Sequence, residues 1–296
     1  MKPAPFEYHR PTSLEETVDL LADLPDAEVM AGNQSLSILM ANRLATPDHV
    51  VDINDVPELS YIEADDDAVE VGAMARHREI ERSETLADAM PVLPAAARQI
   101  AGPVVRNRGT IGGSIGEADP AGNYPCVLVA LEGDVRVASR EGERTTPARD
   151  FFLAYMMTNL GESELITGVT VPRDPFPLER TGMAFLGVKR AAQTWPTLSA
   201  AGVVRVEDPT VDAPTVEEAR IGLANAADVP LRVEDAEAKL EGEPLTEAAL
   251  GAAGELAYEA VDPQEEMHAD ETYKRELARE YTKRAFQEAH GNALAS

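Results

Sequence analysis

The chain of 296 residues is 44% hydrophobic and 27% charged, enough for two or three packed units with a sizeable core. Asp and Glu number 53 against 26 Lys and Arg, a formal net charge of −27, which argues against a nucleic-acid partner because phosphate binding needs a basic face. The one cysteine, Cys126, excludes an intrachain disulfide, a zinc site of Cys type and any iron–sulfur cluster held by this chain alone.

In chain order, Ser13 is the expected N-cap of a first helix, with Glu16 completing a capping box. Leu14, Val18, Leu21 and Leu24 recur at helical spacing until Pro25. A strand from Glu28 to Met30 runs into Ala-Gly-Asn-Gln-Ser at 31–35, followed by a helix over 36–43 and a strand over 49–53. That pattern is a β–loop–α–β unit with its Gly-Asn turn at the strand's carboxyl end, where ligand loops commonly sit. Short strands are expected over 59–63 and 68–72, then helical segments around 77–82, 86–90 and 92–100. A long Gly-rich loop spans Gly109 to Pro125 and holds five glycines and two prolines. A helix over 124–131, a strand over 134–139, a short helix closing at Phe151-Phe152 and a strand over 164–171 follow. The turn-rich linker 172–177 is the expected boundary. Beyond it come three strands (183–190, 198–206, 219–224) and three helices (232–240, 246–261, 271–290), a small α+β layer.

The two Gly-rich stretches carry the chemistry. Thr-Ile-Gly-Gly-Ser at 110–114 is no P-loop, lacking Gly-Lys-Ser/Thr, and 31–35 is no G-x-G-x-x-G fingerprint. Each alone reads first as a tight turn in an ordinary α/β domain. Together they share a construction, a Gly turn joined to a Ser hydroxyl (Ser35, Ser114) ahead of a helix whose N-terminus favours an anion. One phosphate-bearing cofactor closed between them is the expectation.

Little else qualifies. The five histidines are scattered, with no i,i+4 pair and no neighbouring Cys, so no metal site is expected. No G-x-S-x-G elbow provides a nucleophile. Asp65-Asp66-Asp67 reads as an exposed acidic turn, and Trp195 as either a stacking surface or domain packing. The basic residues of the last helix (Lys274, Arg275, Arg279, Lys283, Arg284) read as a solvated face with a Glu280–Arg284 pair, the alternative being a subunit contact. Lys at only five positions, with acids in every surface segment, is the composition of a protein kept soluble in concentrated salt; the alternative is an ordinary acidic cytoplasmic protein. No stretch reaches the ~20 apolar residues of a membrane span, and the amino terminus has no apolar signal core, so a cytoplasmic location is expected.

The ordered set 31–54 (AGNQSLSILMANRLATPDHVVDIN), 106–125 (RNRGTIGGSIGEADPAGNYP), 164–172 (ELITGVTVP) and 270–285 (DETYKRELAREYTKRA) resembles the FAD-binding medium subunits of the molybdenum hydroxylases. That family includes aerobic carbon monoxide dehydrogenase and xanthine dehydrogenase. The resemblance implies an α+β fold: a two-lobed FAD-binding domain of the vanillyl-alcohol-oxidase (PCMH) type over 1–175, with lobes about 1–55 and 56–175. A C-terminal α+β domain of the carbon monoxide dehydrogenase flavoprotein type, with a three-stranded antiparallel sheet plus helices, would follow over 178–296.

By the same resemblance, Ala31, Gly32, Asn33, Gln34 and Ser35 would hold the FAD pyrophosphate beside Leu36, and Thr110, Ile111, Gly112, Gly113 and Ser114 would form a second wall. Asp119 keeps one acid of the family's A-D-P-A-x-D pattern. Asn123 replaces the other and offers hydrogen bonds without charge. Ile166 would flank the flavin or adenine. Leu186 stands where the xanthine branch often has Lys, and Lys189 is nearest to the Lys-Arg pattern of the carbon monoxide dehydrogenase branch. Gln34 stands where distant flavoproteins carry a His for covalent attachment, so non-covalent FAD is implied. No residue of the chain is catalytic on this reading. Substrate oxidation belongs to a large molybdopterin subunit, and electrons arrive through a small [2Fe–2S] subunit, in a dimer of heterotrimers, and leave to an external acceptor such as a quinone. The rivals are the FAD subunit of a xanthine, aldehyde or aromatic acyl-CoA dehydrogenase, and a non-redox ligand-binding protein of the same fold, which Asn123 and Leu186 motivate.

Overall fold

A computed structural model describes residues 2–295. The first lobe is a three-stranded sheet in which β1 (Glu7–His9), β2 (Ala27–Met30) and β3 (His49–Asp52) run parallel in the order β1-β3-β2. Helix α1 (Leu14–Asp23) enters through the expected Ser13 cap, whose Oγ accepts from the Glu16 N–H at 3.1 Å. The reciprocal arm reaches one residue further back: Glu16 Oε2 accepts from the Thr12 N–H at 2.8 Å. Helix α2 (Leu36–Ala41) connects β2 to β3, making the parallel crossover.

The second lobe is an antiparallel sheet of five strands, β4 (Ile62–Ala64), β5 (Ala68–Gly72), β6 (Asp134–Ser139), β7 (Gly142–Pro147) and β10 (Leu165–Pro172), in the order β4-β5-β10-β6-β7. Between β5 and β6 the chain makes α3 (His77–Arg82), α4 (Glu84–Ala89), α5 (Val92–Arg98), α6 (Pro103–Arg106), α7 (Ile111–Glu117) and α8 (Asn123–Ala130). After β7 come α9 (Ala148–Phe151) and a small hairpin, β8 (Phe152–Ala154) with β9 (Met157–Thr158). Two expectations are corrected. Pro57 opens a 3-10 turn over Pro57–Leu59, so the strand expected from 59 starts at Ile62. Strand β7 (GERTTP) was not expected, because a largely exposed polar edge strand shows no apolar alternation.

The C-terminal sheet is antiparallel, β11 (Thr181–Val188), β12 (Leu198–Val206), β13 (Val216–Ala224) and β14 (Leu231–Arg232), so the expected three strands gain a fourth of two residues. Helices α10 (Glu234–Ala238), α11 (Glu247–Ala260) and α12 (Glu271–Leu294) follow. The sheet is buried on both faces, and its alternation shows how. On β12, Ala201 and Val203 join the core that includes α5 and α8, while Ala200 and Val204 join the core under α11 and α12. Helix α8 is the apolar axis of this arrangement, every residue of it buried, against β12, β13 and α5. Lys274 departs from the solvated face expected of α12: it is fully buried, with Nζ donating to Glu266 at 2.7 Å and to Asn225 at 3.1 Å. The Glu280–Arg284 pair is present at 2.7 Å. Trp195 is 55% exposed, which removes the packing reading.

Candidate functional site

The two Gly-rich stretches, nearly 80 residues apart in sequence, touch. A Cβ on Gly32 would lie 2.3 Å from the Arg108 carbonyl oxygen and 2.7 Å from the Gly109 Cα, so only glycine lets the first loop rest on the approach to the second. The contact is laced by side chains. Asn54 Nδ2 donates to the Ala31 carbonyl at 2.9 Å, and Arg76 donates both to Asn54 Oδ1 and to the Arg108 carbonyl. Ser35 faces Glu117 at the end of α7, where burial raises the Glu117 carboxyl and the serine partly offsets it.

The first loop keeps its donors free. Asn33 adopts a left-handed φ of 57°, and Gln34 Nε2 folds back on the Gly32 carbonyl at 2.9 Å. Ser35 is the N-cap of α2 but makes no side-chain capping bond. Among the described residues, the backbone N–H groups of Asn33, Gln34, Ser35, Leu36 and Ser37 find no acceptor. Asn33 Oδ1 is buried and unpartnered as well. Five successive open N–H groups at a turn and helix start form a nest whose charge complement is an anion.

The second stretch is not the loop expected from sequence. Thr110 caps α7, accepting from the Gly113 N–H at 3.2 Å, and Ile111 and Ile115 bury one face. Its first donors are already used: Ile111 N–H donates to Ala75 at 3.1 Å and Gly112 N–H to Ala73 at 2.9 Å. The expectation that this helix start offers N–H groups to an anion is therefore corrected. What α7 offers is shape. A Cβ on Gly112 would meet the Ala73 Cβ at 2.6 Å, so Gly112 faces inward, whereas Gly113 is exposed with only the Thr110 hydroxyl nearby at 3.0 Å. Gly116, one turn on, is also exposed, and a Cβ there would sit 3.4 Å from Ile166 Cδ1. The Gly113–Gly116 ridge, with Ser114 partly exposed beside it and Ile166 at its end, is a bare surface that a flat or extended ligand can approach closely.

The remaining expected residues separate. Asp119 is half-buried, its carboxyl raised by desolvation, with Oδ1 held by the Ala121 N–H at 2.8 Å. Asn123 is buried at the start of α8, and its Nδ2 donates to the Ala96 carbonyl at 2.9 Å, a tie between α8 and α5. Lys189 donates to the Gln99 carbonyl at the end of α5, and burial lowers its pKa, with Arg106 adding to the effect. Among the described residues no hydrogen bond or ion pair joins Lys189 to the 31–36 loop.

Four residues matter that the sequence did not single out. Arg76 and Asn54 bind the two stretches together, as described. Gly116 and His77 complete the second wall. His77 Nε2 packs on Gly109, where a Cβ would lie 2.6 Å away, and its pKa falls to about 4 through burial and the neighbouring Arg76 and Arg106. Arg76 and Arg108 lie side by side at this wall of an otherwise acidic chain, a local field that suits a dianionic pyrophosphate, whereas Arg106 is buried and paired with Glu81 at 2.9 Å. The Cys126 thiol is buried and pushed up to about 12, so it takes no part in chemistry.

These features fit FAD: open N–H donors and a cationic rim for the pyrophosphate, and a bare ridge with an aliphatic flank for the rings. Comparison with known proteins agrees over the whole chain. Residues 4–174 match the family described as the FAD binding domain in molybdopterin dehydrogenase, and 183–289 match the CO dehydrogenase flavoprotein C-terminal domain. The carbon monoxide dehydrogenase medium chain of Hydrogenophaga pseudoflava is 38% identical over 98% of both chains. The nicotine 6-hydroxylase medium subunit of Paenarthrobacter nicotinovorans is 36% identical over 98% of this chain and 99% of its own. The solved carbon monoxide dehydrogenase of Hydrogenophaga pseudoflava, in a form lacking the Mo-pyranopterin moiety, superposes with a TM-score of 0.92, covering 99% of both chains. The chain belongs to the FAD-binding subunits of the molybdopterin-dependent dehydrogenase family.

Proposed function

We propose that this chain is the FAD-carrying electron-transfer subunit of a molybdenum hydroxylase complex, most like the carbon monoxide dehydrogenase medium subunit. It would receive electrons from the [2Fe–2S] clusters of a small partner subunit and deliver them to an external acceptor such as a quinone. The observation that carries the reading is the open N–H nest at 33–37 set against the Gly113–Gly116 ridge, in a chain alike end to end to medium subunits. The flavin supplies the redox chemistry when bound; the protein fixes its position and tunes it. A single buried cysteine fits a division of labour in which the clusters and the molybdenum centre sit in partner subunits, the whole forming a dimer of heterotrimers.

On this reading the FAD-binding part is 1–175, with lobes about 1–55 and 56–175, and 178–296 is the C-terminal part. The N–H groups of Asn33 to Ser37 bind the pyrophosphate, with Ala31 and Gly32 shaping the turn. Thr110 to Ser114 set the second wall, and Ile166 flanks a ring. Asp119 has one carboxylate oxygen beyond its Ala121 bond with which to accept from a sugar or ribityl hydroxyl. Asn123 and Lys189 support the wall through Ala96 and Gln99. Attachment is non-covalent, and the location cytoplasmic, in keeping with the absence, among the described residues, of any helix long and apolar enough to cross a membrane.

The test is reconstitution of the purified chain with FAD. One flavin per chain, released into the supernatant on acid precipitation, is expected. Absence of flavin absorbance after reconstitution favours the non-redox ligand-binding alternative, and flavin retained in the precipitate contradicts non-covalent binding. We also propose adaptation to concentrated salt from the net charge of −27. The unfolding midpoint should rise from low to molar potassium chloride; a flat profile contradicts it.

A further inference from the structure

We propose that Glu7, His9 and His49 form a binding site for a divalent transition metal ion of zinc type, separate from the flavin site. The sequence gives no hint of it, because the two histidines are 40 positions apart. The fold brings them together. Glu7 and His9 are two apart on β1 and so share a face, and the parallel pairing sets His49, the first residue of β3, opposite Glu7. His9 Nε2 and His49 Nδ1 are 3.2 Å apart, Glu7 Oε2 is 3.6 Å from His49 Nδ1, and one donor atom from each of the three lies within 4.8 Å of the others.

Those spacings match a tetrahedral centre. With zinc–nitrogen and zinc–oxygen bonds of about 2.0–2.1 Å, ligand atoms around a tetrahedral ion sit roughly 3.4 Å apart. Two imidazoles and one carboxylate are a donor set that zinc takes readily, with water as a fourth ligand. The burial is graded to suit. The His49 side chain is 17% exposed and held within the sheet, while that of Glu7 is 74% exposed and can swing onto an ion arriving from solvent. On the far side of His49 the paired residue on β2 is the small Ala27.

The position separates this site from the flavin. In the parallel sheet, His49 and Ala27 lie at the amino ends of β3 and β2, and the 31–35 loop leaves the carboxyl end of β2. An ion here would pin the first strand of the chain to the centre of its sheet. It would act as a staple on the lobe that carries the N–H nest, not as a redox centre.

The test uses the full chain, stripped with chelator and assayed with and without FAD. Titration with Co2+ should give d–d absorption bands of a four- or five-coordinate ion at one equivalent per chain, displaced by Zn2+. His9→Ala and His49→Gln should each weaken binding at least about tenfold while flavin content stays at the wild-type level. Asp66→Asn, in the exposed acidic turn, should change nothing, which controls for loose binding to so acidic a surface. Saturating Zn2+ should raise the wild-type unfolding midpoint, and this readout stands if a variant folds poorly. A stoichiometric Co2+ spectrum absent from wild type, or affinity unchanged in both histidine variants, overturns the proposal and leaves the pair as a hydrogen bond between two rings.

Discussion

The loops at 31–35 and 110–114 look alike in sequence and do opposite things. Both join a glycine turn to a helix start, yet the first leaves five N–H groups open while the second has spent its own on Ala73, Ala75 and Thr110. The reason lies in what each packs on. The second stretch follows Arg76–His77 in a bridge with Thr110 and lies over β5's exit, where carbonyls are waiting. The first rests Gly32 on the Arg108–Gly109 backbone and is tied by Asn54 through the Ala31 carbonyl, and no acceptor reaches its backbone N–H groups. One wall is chemistry, the other shape.

The sharpest way to break this comparison is to fill each glycine. Gly32→Val should abolish flavin binding and destabilise the protein, because its side chain would enter the backbone of Arg108. Gly113→Val should also lose the flavin but fold with an unfolding midpoint near wild type, since only the Thr110 hydroxyl lies nearby. Flavin content and thermal unfolding, measured together, separate the two. Normal flavin in Gly113→Val would refute the ridge as a contact surface.

His77 offers a pH test of the wall that it props. Its folded pKa of about 4 lies below the usual 6.5, so above pH 6.5 neither folded nor unfolded chain holds the proton. As pH falls from 6.5 toward 4, the unfolded chain gains a proton that the folded one refuses, and stability is lost, by at most roughly 3 kcal/mol. Acid unfolding in that window should be shallower in His77→Gln, and flavin release should follow the same window in wild type. An identical acid profile in both proteins would remove His77 from the account.

A smaller effect concerns Asn123. Asn123→Asp introduces the acid that the resemblance leads one to expect but loses the Nδ2 donor to Ala96 and sets a carboxylate against a carbonyl in a buried site. It should cost about 1–3 kcal/mol in urea unfolding without tightening the flavin. A tighter flavin would show that this position reaches the cofactor.

Much of this was legible before the structure. Helix α1 announced itself through Ser13 and its leucine spacing, β12 through seven consecutive small and apolar residues ahead of Arg205, and the family through four ordered motifs. What failed has physical causes. Helix α7 carries Gly112, Gly113 and Gly116, a composition that disfavours helix; the Thr110 cap and the burial of Ile111 and Ile115 override it. The Ile111–Ile115 spacing was the signal available. Strands β7 and β14 are short or polar and take their form from neighbours. Arg76, Asn54 and His77 could not be found at all from sequence, because their importance is a matter of which backbone carbonyls and glycines the fold sets before them. The same holds for His9 and His49, which only strand pairing joins.

The central claim is that the first loop grips the cofactor through its backbone while the second merely flanks it. Amide hydrogen exchange, read by mass spectrometry on the chain with and without FAD, addresses it directly. Binding should strongly protect the amides of 33–37, whereas those of 111–113, already bonded in the free protein, should exchange slowly in both states. Protection appearing at 111–113 with 33–37 unchanged would contradict the account.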